Sequence, residues 1–500
     1  MKITRKIKNA YDKLDTPEKE RVLPESALGA EDAPKRRARR YYRPALAAVL
    51  SLCIIAVAVF GVMKIASSRG ITEGSDTNFV SGKGDGVIGG RPSGESGRAY
   101  DVGMPEPAGA DYMRLDDGAY EEAYGTDAAI EGYKGGAYNG QEIYKAGMLT
   151  AGEWRDIDSL ADWLEKFQTE EWNEYAEKRG LYAFNVFELR VTNGGDAIYN
   201  AKAELYTSDG KTLIYTALTD VTGRACIVYP EKFAGEIGVV KCCGKEIQVT
   251  SADNGKTFEL EADASSAGVT ELDFMLMVDT TGSMGDELEY LKAELRDVVS
   301  RIAENSGALS IRVSVNFYRD EGDEYIVKYF DFRTDIEECL EQIKAQHSEG
   351  GGDYPEAVHT ALENAVNGHA WRENAVKLCF LVLDAPPHEE YEIQGINSQI
   401  TKTLTDAAAL GVRIIPVASS GVDKDTECLL RSYAVMTGGT YIFLTNDSGI
   451  GGDHIEASVG EYTVEPLNEC MIRVACEYCG LEYTAPERPA PADEESAGAQ

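Results

Sequence analysis

The sequence predicts an α/β protein with a doubly wound, mostly parallel sheet, preceded by a small β-sandwich, a disordered stalk and one transmembrane helix. From residue 271 onward, apolar runs alternate with amphipathic helical segments, a pattern typical of a parallel sheet covered on both faces. Residues 181–262 alternate apolar and polar side chains between turn signals, which favours several short strands. Residues 44–63 contain no charged side chain, so their length matches a helical membrane span.

The charge is unevenly distributed along the chain. The 500 residues have a net charge of −36, and such acidity argues against a nucleic-acid partner. Residues 1–43 contain 13 Lys/Arg and 7 Asp/Glu, whereas the rest contains 36 and 78. The split predicts that the two parts occupy different environments.

Residues 44–63 are interpreted as an uncleaved membrane anchor that follows the basic stretch KRRARRYYR at 35–43. Since basic residues stay on the cytoplasmic side, residues 1–43 become a cytoplasmic tail and the bulk of the chain becomes extracytoplasmic. A cleaved signal peptide is the competing reading, but its charged leader would be unusually long. The expected location is therefore that of a single-pass membrane protein.

The next two segments differ in composition. Residues 64–146 are rich in Gly, Ser, Tyr and acidic residues and poor in branched aliphatics, which predicts a disordered stalk. Residues 147–180 place Ile157, Leu160, Leu164 and Phe167 at helical spacing, and these predict a small helical collar.

Strand patterns follow the collar. In residues 181–262, strand-like runs such as NAKAELYTSDGKTLIYTAL predict a β-sandwich. The pattern resembles the immunoglobulin-like, transthyretin-like modules of bacterial surface proteins, which serve as spacers or additional binding units. The tail, 485–500, is rich in Pro, Ala and Glu and is expected to be disordered.

Residues 271–475 form the predicted α/β domain. Uncharged or nearly uncharged runs such as 274–278 and 378–383 are the expected strands, and a helix over 286–304 presents one apolar face. Ligands on such sheets bind at the carboxyl ends of the strands. Five side chains with oxygen atoms are expected at this edge: Asp279, Thr281, Ser283, Asp353 and Asp384. Oxygen ligands suit a hard divalent cation such as Mg²⁺, with Ca²⁺ or Mn²⁺ as alternatives.

The motif DTTGS at 279–283, together with GGGDYPEA, DAPPH and GVRIIPVASSG, resembles the von Willebrand factor A (VWA) domain. The resemblance points to a membrane-anchored bacterial type, with an immunoglobulin-like module before the VWA domain. It implies a metal-ion-dependent adhesion site in which Asp279, Thr281, Ser283 and Asp384 hold the cation. In the family, an acidic side chain of the bound ligand completes the metal's coordination.

One position departs from the family pattern. The second motif of the family usually supplies a threonine, and Asp353 occupies the aligned position. A third carboxylate would give the site a charge of about −1 with a divalent cation, so the metal would be held more firmly and would attract an acidic ligand less.

The remaining polar residues indicate binding rather than catalysis. His388 follows the metal loop and is expected either to contact a ligand or to be structural. The chain has no G-x-S-x-G, HExxH or P-loop motif, so we expect that it is not an enzyme. Cys226 could pair with Cys242 or Cys243, which the spacing alone does not decide.

Together, these features predict a membrane-tethered adhesion protein that recognises a protein or cell-envelope ligand through its metal site. The alternative is an envelope regulatory or assembly factor that signals through residues 1–43. A partner bound to residues 1–43 would favour the alternative.

Overall fold

A nine-stranded mixed sheet forms the centre of the computed structural model, which describes residues 86–88, 144–266, 268–305 and 309–485. The five middle strands are parallel, and antiparallel strands extend the sheet at both edges. In spatial order the strands are β1 (Gly86–Ile88), β13 (Val327–Tyr329), β12 (Ser310–Tyr318), β11 (Glu271–Asp279), β14 (Val376–Leu383), β15 (Val412–Ala418), β16 (Tyr441–Leu444), β2 (Thr150–Trp154) and β17 (Glu465–Pro466).

Helices cover both faces of the sheet, as the sequence predicts. One layer packs with Phe274 and Leu276 and consists of α3 (Leu288–Asn305), α4 (Ile336–Lys344) and α8 (Leu467–Tyr478). The opposite layer packs with Met275 and Met277 and consists of α5 (Val358–Asn367), α6 (Ile396–Leu410) and α7 (Lys424–Thr437). Because successive strand residues face opposite layers, the central strands are apolar over most of their length, and all of β14 is buried.

Two smaller four-stranded sheets fold from the segment between β2 and β11. One contains β3 (Val186–Asn193), β4 (Asp196–Ala197), β7 (Arg224–Val228) and β10 (Thr257–Glu261), and the other contains β5 (Lys202–Thr207), β6 (Leu213–Leu218), β8 (Ile237–Cys242) and β9 (Lys245–Gln248). Their apolar side chains join the core of the α5–α7 layer. The Tyr215 hydroxyl also donates a hydrogen bond to the Met436 carbonyl. The immunoglobulin-like assignment of these sheets stays a prediction.

Two predicted segments contain strands that the sequence reading did not place. The predicted collar, 147–180, begins with strand β2, which pairs antiparallel with β16; its helices are α1 (Leu160–Lys166) and α2 (Glu170–Arg179). Residues 86–88, inside the predicted stalk, pair with β13. Such short edge strands depend on long-range pairing, which local periodicity does not reveal. The rest of the predicted stalk up to residue 143 lies outside the described residues.

The predicted single-pass membrane location needs correction. A helical span requires about 20 predominantly apolar residues. In the ranges that the structure describes, no helix has both the length and the apolar character to cross a membrane, so the location is not supported. The predicted anchor at 44–63, the tail at 1–43 and residues 486–500 lie outside these ranges.

A buried ion pair attaches the collar to the sheet. The Arg431 guanidinium on α7 is fully buried and donates from Nε to Asp156 Oδ2 at 2.9 Å and from Nη2 to Asp156 Oδ1 at 2.5 Å. It lies 5.4 Å from the ring centroid of Trp163 and 5.2 Å from that of Trp172. Two of the tryptophans of the collar therefore pack on a charged group of α7.

Asp156→Ala should lower the free energy of unfolding by about 2–4 kcal/mol, because the substitution removes two charge-assisted hydrogen bonds from the buried Arg431 guanidinium, which keeps Glu427 as its remaining ion-pair partner. Chemical denaturation followed by tryptophan fluorescence would measure the loss. Asp162→Ala, an exposed position on α1, is the matched control and should change stability by less than about 0.5 kcal/mol. Equal effects of the two substitutions would contradict a stabilising role of the ion pair.

Candidate functional site: a carboxylate cluster at the carboxyl edge of the sheet

The cluster begins where two neighbouring parallel strands end. Asp279 is the last residue of β11, and Asp384 directly follows β14. These strands pair with Val278 opposite Val382, so both aspartates leave the sheet at the same edge. Both are buried, with exposed fractions of 0% and 4%. Adjacent parallel strands thus bring together two carboxylates that are 105 positions apart in the sequence.

The segment after β11 folds back onto Asp279. One carboxylate oxygen, Oδ1, accepts hydrogen bonds from the Thr281 backbone N–H at 2.8 Å and from its hydroxyl at 2.7 Å. This is the local turn that an aspartate favours when it follows a strand. The Thr281 and Ser283 hydroxyl oxygens are 3.2 Å apart. The structure therefore groups three of the predicted residues, with Thr281 buried and Ser283 exposed at the lip.

Glu356 is the third buried carboxylate of the cluster, and the sequence reading missed it. It precedes α5, and its backbone N–H donates to the Pro386 carbonyl at 2.9 Å, which holds it against the loop after β14. Its side chain is 2% exposed. Glu356 stands three residues after Asp353 in GGGDYPEA. The only local sequence signal for a site residue at this position is that Glu356 directly follows Pro355.

The glycine loop at 350–352 closes over this carboxylate. The Gly350 carbonyl accepts a hydrogen bond from the Gly282 N–H at 3.1 Å. At Gly351, φ is +71°, and an added Cβ would lie 2.9 Å from Glu356 Oε1 and 3.5 Å from Thr281 Cβ. A side chain at 351 would therefore be strained and crowded against the cluster. The glycines allow the loop to approach the buried oxygens.

Each of the three carboxylates has a buried oxygen without a hydrogen-bond partner among the described residues. These atoms are Asp279 Oδ2, Asp384 Oδ1 and Glu356 Oε2. Buried polar atoms are nearly always paired, and an unpaired ionised oxygen is costly. The atoms are of the type that Mg²⁺, Ca²⁺ and Mn²⁺ prefer. The donor set therefore fits a hard divalent cation, which would supply the missing countercharge.

The electrostatics of the cluster agree with that fit. Burial, followed by the neighbouring negative charges, raises the pKa of Glu356 to about 10 and that of Asp384 to about 7. Burial also raises the pKa of Asp279 to about 6, although its hydrogen bonds from Thr281 partly offset the effect. Without a cation, the cluster holds protons near neutral pH that the same side chains in water would lose.

Asp353 lies on the exposed side of the same loop. No hydrogen bond joins it to Asp279, Thr281, Ser283 or Asp384 in the part of the chain that the structure describes. Its nearest potential co-ligands are His388 and Glu392, whose ligand atoms and its own lie within 4.8 Å of one another. The ligand role predicted for Asp353 stays a prediction, and the geometry favours Glu356 as the fifth oxygen of the cluster.

His388 is turned toward acidic neighbours. Its Nε2 lies 2.7 Å from Asp320 Oδ1, and its Nδ1 lies 3.4 Å from Glu392 Oε2. Although burial lowers the pKa of His388, the bonds to the two carboxylates outweigh burial and raise it. The ring is only 9% exposed. These contacts give His388 a structural role beside the cluster, and its predicted contact with a ligand remains untested.

A fourth buried acid borders the cluster. Glu287 is fully buried, and its Oε1 accepts hydrogen bonds from the Ser420 N–H at 3.0 Å and interacts with His454 Nε2 at 3.1 Å. Its charge contributes to the raised pKa of Asp384. It ties the loop after β11 to the loops after β15 and β16. Nothing in its sequence spacing distinguishes it from the exposed acids nearby.

A separate pocket of about 740 Å³ lies away from this edge. It is lined by residues of α2 and α6 and by the segments 180–184 and 230–232. None of its lining side chains has a buried polar atom without a partner. The three carboxylates with unpartnered oxygens are therefore not part of this pocket.

The fold and the edge cluster are those of an α/β domain, and comparison with known proteins shows what this domain resembles. Residues 273–446 match the family model of the von Willebrand factor A domain, which supports a VWA domain protein. A curated relative, described as an ariadne-like RING finger protein, R811, of Acanthamoeba polyphaga mimivirus, is 25% identical over 186 residues. That alignment covers 35% of this chain and 18% of the viral protein, so the similarity extends over only a small part of the relative. VWA domains generally mediate protein interactions, which suggests an interaction or adhesion-type function.

Glu356→Gln should weaken Mg²⁺ and Ca²⁺ binding by about 5- to 30-fold, because one unit charge at contact distance in a partly screened site contributes on the order of 1–2 kcal/mol. Asp353→Asn, a charge-matched change three residues away, should alter the affinity by less than about twofold if Asp353 lies outside the metal shell. Isothermal titration calorimetry on both variants would decide which acid is the ligand. If Asp353→Asn weakens metal binding more than Glu356→Gln does, Asp353 and not Glu356 is the fifth oxygen ligand.

The metal-free protein should lose stability as the pH rises from about 4 toward 7, and further toward 10. The raised pKa values mean that the folded state retains protons that the unfolded chain has released, so rising pH favours unfolding. A bound cation replaces these protons. Thermal melts at pH 5 and pH 8, in EDTA and in Mg²⁺, should therefore show the larger Mg²⁺-induced rise in Tm at pH 8. Equal rises at both values would contradict proton–metal exchange.

Proposed function

We propose that this protein is a metal-dependent protein-recognition module of the adhesion type, in which the VWA domain binds a divalent cation at the carboxyl edge of its sheet. The observation that carries the proposal is the set of three buried carboxylates, each with an unpartnered oxygen. The function is binding rather than catalysis, and no nucleic acid is involved.

Asp279, Asp384 and Glu356 would hold the cation through their carboxylates, and Thr281 and Ser283 would contribute hydroxyl oxygens. When bound, Mg²⁺, Ca²⁺ or Mn²⁺ supplies positive charge that offsets the repulsion among the acids. The cluster is built from the loops after β11 and β14 and from the glycine loop before α5. Fixing these three loops against one another gives the edge a defined shape for a partner protein.

The alternative, a regulatory or assembly factor, depends on residues 1–43, which lie outside the described residues. No observation in the described part of the chain favours it. The proposal therefore concerns the metal edge alone.

Asp279→Asn should abolish the stabilisation of the full chain by Mg²⁺ while leaving the fold intact, because the amide still accepts the Thr281 hydrogen bonds but carries no charge. The wild-type protein should gain about 2.7 kcal/mol at a Mg²⁺ concentration of about 100 times Kd. Thermal melts with Mg²⁺ and with EDTA would measure the difference. Asp286→Asn, an exposed acid in the turn after Ser283, is the matched control and should retain the gain.

Capture of partner proteins should follow the same pattern. A pull-down in Mg²⁺ with wild type and with Glu246→Gln, which changes an exposed acid of β9, should recover proteins that are lost in EDTA and with Asp279→Asn. Stabilisation by Mg²⁺ that survives Asp279→Asn would place the cation elsewhere and contradict the proposal.

A further inference from the structure

The loops around the cluster carry an extreme charge imbalance. Six loop segments meet at this edge, and together they contain a single Lys or Arg. Their Asp and Glu residues number two in 282–287, four in 319–326, three in 345–357, four in 384–395, one in 419–423 and three in 445–459. Four of these acids are buried (Glu287, Asp320, Glu356 and Asp384), so most of the charge faces the surface.

The opposite edge of the same sheet is different. The segments that lead into β11, β14 and β16, residues 262–270, 368–375 and 438–440, contain two acids and one base. The acidity of the metal edge is therefore a local property and does not simply repeat the acidity of the whole chain. A concentrated field of one sign steers partners of the opposite sign.

The basic groups near this edge are already engaged within the chain. Arg319 is 1% exposed, and its Nη2 donates to the His347 carbonyl at 3.0 Å. Lys424 is bonded to Glu427 and Ser458, and Lys178 to Asp425 and Glu389. These internal pairs leave exposed acids of the loops, such as Asp286, facing solvent, whereas Asp353 has the His388 imidazole as a neighbour.

A bound divalent cation would not reverse the sign of this surface. Asp279, Asp384 and Glu356 together carry three negative charges when ionised, which one divalent cation reduces to about −1. A neutral residue in place of Glu356 would leave the same cation fully balanced by two aspartates. The carboxylate of Glu356 would therefore take the place at the metal that the carboxylate of an acidic partner would otherwise occupy.

We propose that the metal edge recognises a cationic protein surface, a Lys- or Arg-rich segment, and that Glu356 is the residue that sets this preference against acidic partners. The role of Glu356 rests on the proposed function. The positive charge expected of the partner rests only on the charge distribution of the loops. It assigns a partner chemistry opposite to that implied by resemblance to the VWA family.

The test uses the full chain and two fluorescein-labelled probes, deca-lysine and deca-glutamate, with binding followed by fluorescence anisotropy in Mg²⁺. Wild type should bind deca-lysine, should show no measurable affinity for deca-glutamate, and should lose deca-lysine as NaCl is raised. Metal-dependent binding of deca-glutamate by wild type would overturn the proposal.

Two triple variants of equal charge separate the edge from general acidity. The edge variant is Asp286→Asn, Glu321→Gln, Asp353→Asn, and the matched control neutralises three exposed acids of the smaller sheets and their loops, Glu236→Gln, Glu246→Gln, Glu259→Gln. The edge variant should weaken deca-lysine binding by about tenfold and the control by less than about twofold. Equal losses would mean that the probe reads net charge only, which would overturn the proposal.

Glu356→Thr tests the specificity role. In Mg²⁺, this variant should gain metal-dependent affinity for deca-glutamate, and circular dichroism should show that its fold is unchanged. Absence of that gain, in a variant that calorimetry shows still binds Mg²⁺, would overturn the role of Glu356. If calorimetry shows that wild type itself binds no divalent cation, the proposed function and the role of Glu356 both fail. The two triple variants would still decide whether the edge binds a positively charged partner.

Discussion

The crowding of ionisable oxygens at one edge of the sheet is the constraint on which the rest of the site depends. Parallel pairing of β11 with β14 places Asp279 beside Asp384, and the turn before α5 adds Glu356 to them. Carboxyl groups that lie this close together and are this deeply buried cannot all be ionised without a countercharge. The protein can meet this cost with protons or with a cation, and the two solutions exclude each other. Any cation that binds at this edge must therefore displace protons from the cluster.

The surrounding polar groups hold these acids in place rather than neutralise them. The Thr281 amide and hydroxyl use one oxygen of Asp279, and the Pro386 carbonyl fixes the backbone of Glu356. His388 bridges Asp320 and Glu392 on the outer side. One oxygen of each of the three carboxylates still has no hydrogen-bond partner among the described residues.

The sequence was sufficient for those parts of the fold and site that follow from local pattern. Apolar runs that end in Asp279 and Asp384 predict adjacent strand ends, and the DTTGS spacing groups Thr281 and Ser283 with the first of them. Glu356 was missed because Asp353 and Glu356 stand in one short loop, and only the three-dimensional path of that loop shows which of them turns inward. Strand β2 was read as part of a helical collar because its order comes from pairing with β16, 287 residues away where Trp154 meets Tyr441. The membrane prediction relied on composition alone, and no described helix supports it.

Strand β2 has a consequence for what counts as a domain in this protein. Strands β1 (Gly86–Ile88) and β2 (Thr150–Trp154) belong to the main sheet; after β2 the chain leaves to build the two smaller sheets and returns to the main sheet through β11. The α/β unit is therefore discontinuous in sequence, and the two smaller sheets are an insertion between β2 and β11. A fragment cut at the start of β11 would lose β2, expose the edge of β16 and separate β17 from the only strand with which it pairs among the described residues. Unpaired edges of this kind promote aggregation. A unit that keeps the described sheet whole begins before β1 and includes α8, so the smaller sheets are held at both ends by the same scaffold that carries the cluster.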